Sequence, residues 1–165
     1  MKELLNKLNA CKDAREWAGD KSWQEIYNTC HRGDWLLWLF KRTNPDDLQL
    51  LTLAKGHCAN TVRHLMKDER SLKAVDAAIA FGEGKISRDE LDAAAASDGA
   101  AYAAVSAAAD DAAYAAYDDD ADADAAADSA AYANAAANAA AKKENQQLTA
   151  DICRKYLPIE VWNIK

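Results

Sequence analysis

Apolar residues recur along this chain at intervals of three and four, and nowhere do they alternate with polar ones, so the pattern predicts helices and no strands. Leu4, Leu5, Leu8 and Cys11 share one face of a first helix that the Gly19-Asp20 pair ends. Ser22, with Glu25 three residues on, is a capping box opening a short helix that carries Trp23, Ile26 and Tyr27. After a break at Arg32-Gly33, Asp34 reads as the N-cap of Trp35 to Phe40, a run apolar on all sides and therefore expected to be the buried central helix. Asn44-Pro45 stops it.

The next segment, from Asp46 or Asp47 to about Lys67, places Leu48, Leu51, Cys58, Val62, Leu65 and Met66 along one stripe and turns Lys55, Arg63 and Lys67 to water. Ser71 then caps a helix with Leu72, Val75, Ile79 and Gly82 on its inner face, and Gly82 and Gly84 end it. Ser87 and Glu90 form a second capping box. From Lys142 onward, Leu148, Ile152 and Tyr156 recur every four residues until Pro158. The expected fold is all-α: a single compact antiparallel helical bundle, with an aromatic-rich part (1–88), alanine-rich acidic helices (89–141) and a C-terminal helix and tail (142–165). At 165 residues, one domain is the natural reading.

The alanine-rich part changes this picture most. From Asp89 to Ala141 the chain has 53 residues, of which 29 are Ala and 12 are acidic, with no Lys, Arg or His. Alanine loses no side-chain entropy on becoming helical, so the stretch reads as helix despite its low complexity. A single straight helix from Asp110 to Ala141 would point its carboxylates nearly all round, which predicts a turn near Asp118-Asp119-Asp120. Several carboxylates would then sit at a helix N-terminus, where the macrodipole favours them by about 0.3–1 kcal/mol each.

Charge is distributed very unevenly. Residues 1–88 carry 15 basic and 12 acidic groups, 89–141 carry 12 acidic ones alone, and 142–165 carry five basic and three acidic ones, which together give the net charge of -7. An acidic field repels nucleic acid and anionic membrane and attracts basic proteins. No apolar run has signal-peptide or membrane-spanning length, so the expectation is a soluble cytoplasmic protein. Cys11, Cys30, Cys58 and Cys153 lack Cys-x-x-Cys spacing and read as reduced thiols in a helical core.

The candidate partner-binding residues are Asp110, Asp111, Asp118, Asp119, Asp120, Asp122, Asp124 and Asp128. On a helix Asp120, Asp124 and Asp128 line one face at about 6 Å intervals, and such a row can imitate a nucleic-acid backbone, with its charge about every 3.4 Å per strand. The plainer alternative is that they keep an otherwise apolar helix in solution. Neither a metal nor a cofactor is expected. Cys30-His31 and Cys58-His57 carry zinc-compatible groups, but adjacent helical residues point about 100° apart. A Cys-His catalytic dyad lacks an activating third group. No phosphate loop, His-Glu-x-x-His helix or nucleophile elbow is present, so no enzymatic activity is expected. Trp17, Trp23, Trp35, Trp38 and Trp162 read mostly as core anchors, while an exposed one would mark an interface.

The segments WQEIYNTCHRGDWLLWLF (Trp23 to Phe40), LAKGHCANTVRHL (Leu53 to Leu65), DERSLKAVDAAIAFGEGKISRDELDAAA (Asp68 to Ala95) and ADICRKYLP (Ala150 to Pro158), with the alanine-rich region between the last two, resemble the alanine-rich immunity protein family. That family occurs in bacteria and phages, in the neighbourhood of polymorphic toxins. The resemblance spans about Trp23 to Pro158, its most specific parts being Cys30 to Trp38 and Asp68 to Ile86. It implies an all-helical, non-enzymatic protein that neutralises another protein by binding it, and it assigns no binding residues. The purely acidic alanine-rich region departs from the family pattern, in which Arg and His are mixed in. The functional expectation is an immunity-like or phage anti-defence inhibitor of a basic, nucleic-acid-binding partner or nuclease, with no direct contact to nucleic acid or membrane. The alternative is an oligomerisation module packing through alanine faces, and a homodimer is compatible with either.

Overall fold

The computed structural model describes residues 1–66, 69–96 and 139–164. They form eight α-helices: α1 (Lys2–Lys7), α2 (Lys12–Ala18), α3 (Trp23–Thr29), α4 (Gly33–Thr43), α5 (Leu48–Asn60), α6 (Glu69–Gly82), α7 (Arg88–Ala96) and α8 (Ala139–Tyr156). Two short 3-10 turns, Arg63–Leu65 and Ile159–Val161, complete them, and no strand occurs among the described residues.

Both capping boxes form. The Ser22 amide donates to Glu25 Oε2 at 2.7 Å while the Glu25 amide donates back to Ser22 Oγ, and Ser87 with Glu90 repeats the exchange at the start of α7. Elsewhere local signals are redirected. The first helix is two helices, because Asn9 adopts a left-handed conformation (φ 57°) that its short polar side chain tolerates. Cys11 therefore becomes the exposed N-cap of α2 rather than a core thiol. Asp34 is not the cap of α4: Arg32 holds that position, the helix starts at Gly33, and Asp34 lies inside it, buried and paired with the Arg32 guanidinium. The segment expected to run to Lys67 stops at Asn60, where Thr61 Oγ1 donates to the Cys58 carbonyl at 2.7 Å.

Helix α4 is the centre of the core, with Leu36, Leu37 and Phe40 almost wholly buried and Leu39 and Trp38 nearly so. Around it pack Ile26 and Tyr27 from α3, Leu51, Ala54 and Cys58 from α5, Ala150 and Cys153 from α8, and Leu157 just past the end of α8. Trp35 departs from the expectation of burial on every side, lying half-buried at the surface. Trp162 closes the far end: its ring meets Phe40 edge to face at 5.0 Å and its Nε1 donates to the Leu157 carbonyl. The tail is held there by Asn44, whose Nδ2 donates to the Val161 carbonyl at 2.7 Å and whose Oδ1 accepts from the Asn163 amide.

Small residues set the distances between helices. A Cβ on Gly82 would fall 2.6 Å from the Leu53 Cα, so α5 and α6 touch backbone to side chain. A Cβ on Gly33 would fall 2.6 Å from the Thr149 carbonyl carbon, which brings α8 against the first turn of α4. This contact overturns the expected inner face of α8. Thr149, Ala150, Cys153 and Leu157 are buried, Ile152 and Tyr156 are half-buried, and Leu148 is 47% exposed. The small side chains face inward because only they fit at that separation.

Two outcomes follow for stability. Gly33→Ala should cost more than about 2 kcal/mol, since the backbone of Thr149 must move, and a change within 0.5 kcal/mol in urea denaturation would show that the helices yield. Trp38→Ala should cost roughly 3–5 kcal/mol and Trp35→Ala clearly less, in line with their burial; equal losses would contradict the assignment.

Candidate interaction surface

The eight aspartates singled out in the sequence, Asp110 to Asp128, lie outside the described residues. What is described are the two helices from which that stretch departs and to which it returns. Helix α7 opens with the exposed carboxylates Asp89, Glu90 and Asp92. Two of them have local partners: Glu90 is held below its ordinary value by the Ser87 amide and hydroxyl, and Arg88 pairs with Asp92 at 2.8 Å. Helix α7 packs on α6, α6 on α5, and α8 on both α4 and α5, so the stretch leaves and rejoins one packed assembly of helices.

The helix to which the stretch returns is held at its far end. Arg154 of α8 donates from Nε to the Tyr27 carbonyl at 2.7 Å and from a terminal nitrogen to the Cys30 carbonyl, satisfying acceptors at the C-terminal end of α3. Tyr27 answers in kind, its hydroxyl lying 3.1 and 3.2 Å from the Arg154 and Leu157 carbonyls at the end of α8. Each helix thus caps the other. Sequence reading missed both residues, since the pairing joins positions 127 apart, and the one signal was a lone Arg near the end of an otherwise regular helix.

Outward from this clamp lies an aromatic face. The rings of Trp17, His31 and Trp35 stand 5.8 to 6.4 Å apart, all half-buried, with Lys21 over Trp17 at 4.6 Å and Arg32 over Trp35 at 4.7 Å. On its other side His31 borders an open groove of about 580 Å³ lined by Lys143, Glu144, Gln147, Leu148 and Asp151 of α8. Burial, then the charges of Arg32 and Lys143, hold the His31 imidazole below its usual value.

The cysteine-histidine pairs diverge. Cys30, Cys58 and Cys153 point inward, with their thiols directed at the carbonyls of Arg32, Thr149 and Gly33. Burial pushes Cys30 up to about 11 and raises Cys153 well above the ordinary thiol value, so these two sulfurs stay protonated and unreactive at neutral pH. His57 lies outside, stacked on Tyr156 at 4.0 Å, and burial lowers its pKa too. Among the described residues no three His, Cys, Asp or Glu gather closely enough to hold a metal.

Lys55, expected in water, is half-buried in α5. Burial first and Lys41 second lower it to about 8. The folded state therefore favours the neutral amine, so stability rises as pH climbs from about 8 towards the ordinary value near 10.5 and carries the penalty of a protonated amine at neutral pH. Lys55→Met should raise stability at pH 7 by about 1–2 kcal/mol and remove that alkaline rise; unchanged stability would place the amine in water. The histidines work in the same sense lower down. With folded pKa values below 6.5, they make the fold lose stability as pH falls through 6.5, and His31→Gln with His57→Gln should flatten the loss between pH 7 and 5. Parallel profiles for parent and double variant would remove them from the account.

Set beside known proteins, the chain stands apart: no family model, curated protein or solved structure matches it.

Proposed function

We propose that this protein is a non-catalytic, stoichiometric inhibitor that binds a basic, nucleic-acid-handling protein, a nuclease first among them, through its acidic alanine-rich stretch, as an immunity or phage anti-defence protein does. The observation that carries the reading is electrostatic. Several charges among the described residues have local partners, Lys12 with Glu16, Arg63 with Asp76, Lys85 with Glu83 and Arg154 with Asp151, and Arg88, just before the acidic stretch, pairs with Asp92 within it. From Asp89 to Ala141 twelve carboxylates have no cation of their own within the stretch. So dense a one-signed series is opposed by self-repulsion, which a basic partner would relieve.

The described helices support the role of a firm mount, because both ends of the acidic stretch join one packed set. In the architecture we favour, the alanine-rich helices complete a compact antiparallel bundle, alanine allowing the close approach that Gly33 and Gly82 permit elsewhere. The resemblance to alanine-rich immunity proteins points to the same kind of activity.

Replacing Asp118, Asp119, Asp120, Asp122, Asp124 and Asp128 by Asn tests this. The far-UV circular dichroism should stay close to that of the parent, while association with a panel of basic nucleases weakens roughly tenfold or more at low salt and loses most of its salt dependence. A variant that binds and inhibits as the parent does, at both low and physiological ionic strength, would end the proposal. Light scattering of the protein alone separates it from the oligomerisation reading, which requires a concentration-dependent increase in mass.

A further inference from the structure

Among the described side chains Lys21 and Lys55 are the two half-buried lysines, and they are held differently. Lys21 gives its ammonium to the Trp17 carbonyl and lies over the Trp17 ring, whereas Lys55 makes no hydrogen bond or ion pair among the described residues. The Lys55 side chain leaves α5 on its packed side: Leu51 and Ala59, one turn away in either direction, are buried, as are Ala54 and Cys58. The charge that reaches it is of its own sign, from Lys41 in the last turn of α4, a helix on which α5 packs. A half-enclosed ammonium with a like charge for a neighbour costs stability that a Leu or Met at the same place would not.

What the position favours is the free base. Burial first and Lys41 second lower Lys55 to about 8, so at pH 7.4 about one such amine in five is neutral, against about one in a thousand for an ordinary lysine at about 10.4. A neutral amine is a nucleophile. Its half-buried stem selects small, uncharged electrophiles over bulky acyl donors. Lys41 acts twice in such a reaction, since the same cation that opposes the protonated amine attracts an anion formed in its place.

We propose that Lys55 is a modification site for carbon dioxide, which it takes up as a carbamate paired with the Lys41 ammonium. The Nζ lone pair forms a bond to the carbon of carbon dioxide, one C=O π pair moves onto oxygen, and one N–H proton passes to solvent. Lys–NH2 and CO2 thus give Lys–NH–COO− and H+, with no change of oxidation state and no leaving group. Two like charges between α4 and α5 become opposite ones, and because Lys41 is exposed, the pair forms where water still reaches the carboxylate. The inference is independent of the inhibitor reading. It links the stability of the fold to the carbon dioxide around it, by the mass action of a group that adds to the folded state.

The test equilibrates the full-length protein near neutral pH with isotopically labelled bicarbonate, the source of dissolved carbon dioxide, and traps carbamates by O-ethylation with triethyloxonium before peptide mass spectrometry. The expected result is an ethoxycarbonyl group on Lys55 at an occupancy roughly tenfold or more above that of any exposed lysine. It should be absent from Lys55→Met, fall roughly tenfold in Lys41→Gln, and be retained in Lys41→Arg, which keeps the charge. In the untrapped protein one carbamate carbon resonance should disappear with Lys55→Met. Bicarbonate should also raise the melting temperature of the parent above that in chloride of equal ionic strength and leave Lys55→Met unchanged. Circular dichroism verifies that the variants fold, and Lys55→Met retains an unbranched apolar stem. Label confined to the chain's α-amino group, or spread over the exposed lysines with Lys55 no higher, would overturn the proposal. A Lys55 label that Lys41→Gln leaves undiminished would overturn it too, by removing the counter-charge on which the site depends.

Discussion

The seat of α8 against the first turn of α4 is the constraint from which the rest of the arrangement follows. Gly33 leaves no room for a side chain beside the Thr149 backbone, so the two helices meet at a separation that only small groups tolerate. That separation selects Ala150 and Cys153 for the inner face and turns Leu148 outward. It also brings Arg154 within reach of the α3 carbonyls and Tyr27 within reach of those at the end of α8. Hydrogen bonds of this kind contribute only about 1 kcal/mol each, but leaving a buried acceptor unpaired costs about 1–3 kcal/mol. The clamp therefore acts chiefly by making other positions of α8 unfavourable.

The same seat divides the molecule into surfaces of different character. Behind α8 lies a core of aliphatic side chains and buried thiols, closed at one end by Trp162 and Asn44. In front lie the half-buried rings of Trp17, His31 and Trp35 with cations over them, and the groove that Leu148 borders. A polar, Arg-bearing aromatic surface beside an exposed leucine has the composition from which protein interfaces draw their strongest contacts. The acidic stretch, attached to the same helices, carries twelve carboxylates and no cation.

Buried ionisable groups mark where the fold gives up stability. Asp34, fully enclosed, keeps Arg32 beside it, whereas Lys55 has a second lysine near it and a lowered pKa. Trp38 carries the one buried side-chain nitrogen or oxygen without a hydrogen-bond partner among the described residues. Such sites lie on or next to α4, the central helix, where packing leaves least freedom to satisfy polar atoms.

What the sequence determined by itself was whatever depends on neighbours along the chain. The helical class, both Ser-to-Glu capping boxes, the stop at Asn44-Pro45, the exit at Gly82 and Gly84 and the burial of Leu36 to Phe40 follow from local propensity and spacing. The electrostatic character of the acidic stretch was equally plain, since it needs only composition. Tertiary structure decided what depends on separation between helices. Leu148, Ile152 and Tyr156 have the stronger periodicity in α8, yet the weaker row of Thr149, Ala150 and Cys153 is buried, because Gly33 brings the α4 backbone too close for large side chains. Asp34 looked like a cap and became a buried ion-pair partner, Lys55 looked solvated and was half-enclosed, and the groove at His31 joins residues more than 110 positions apart. Hydrophobicity ranks side chains by type, but the space between two backbones decides which of them fit.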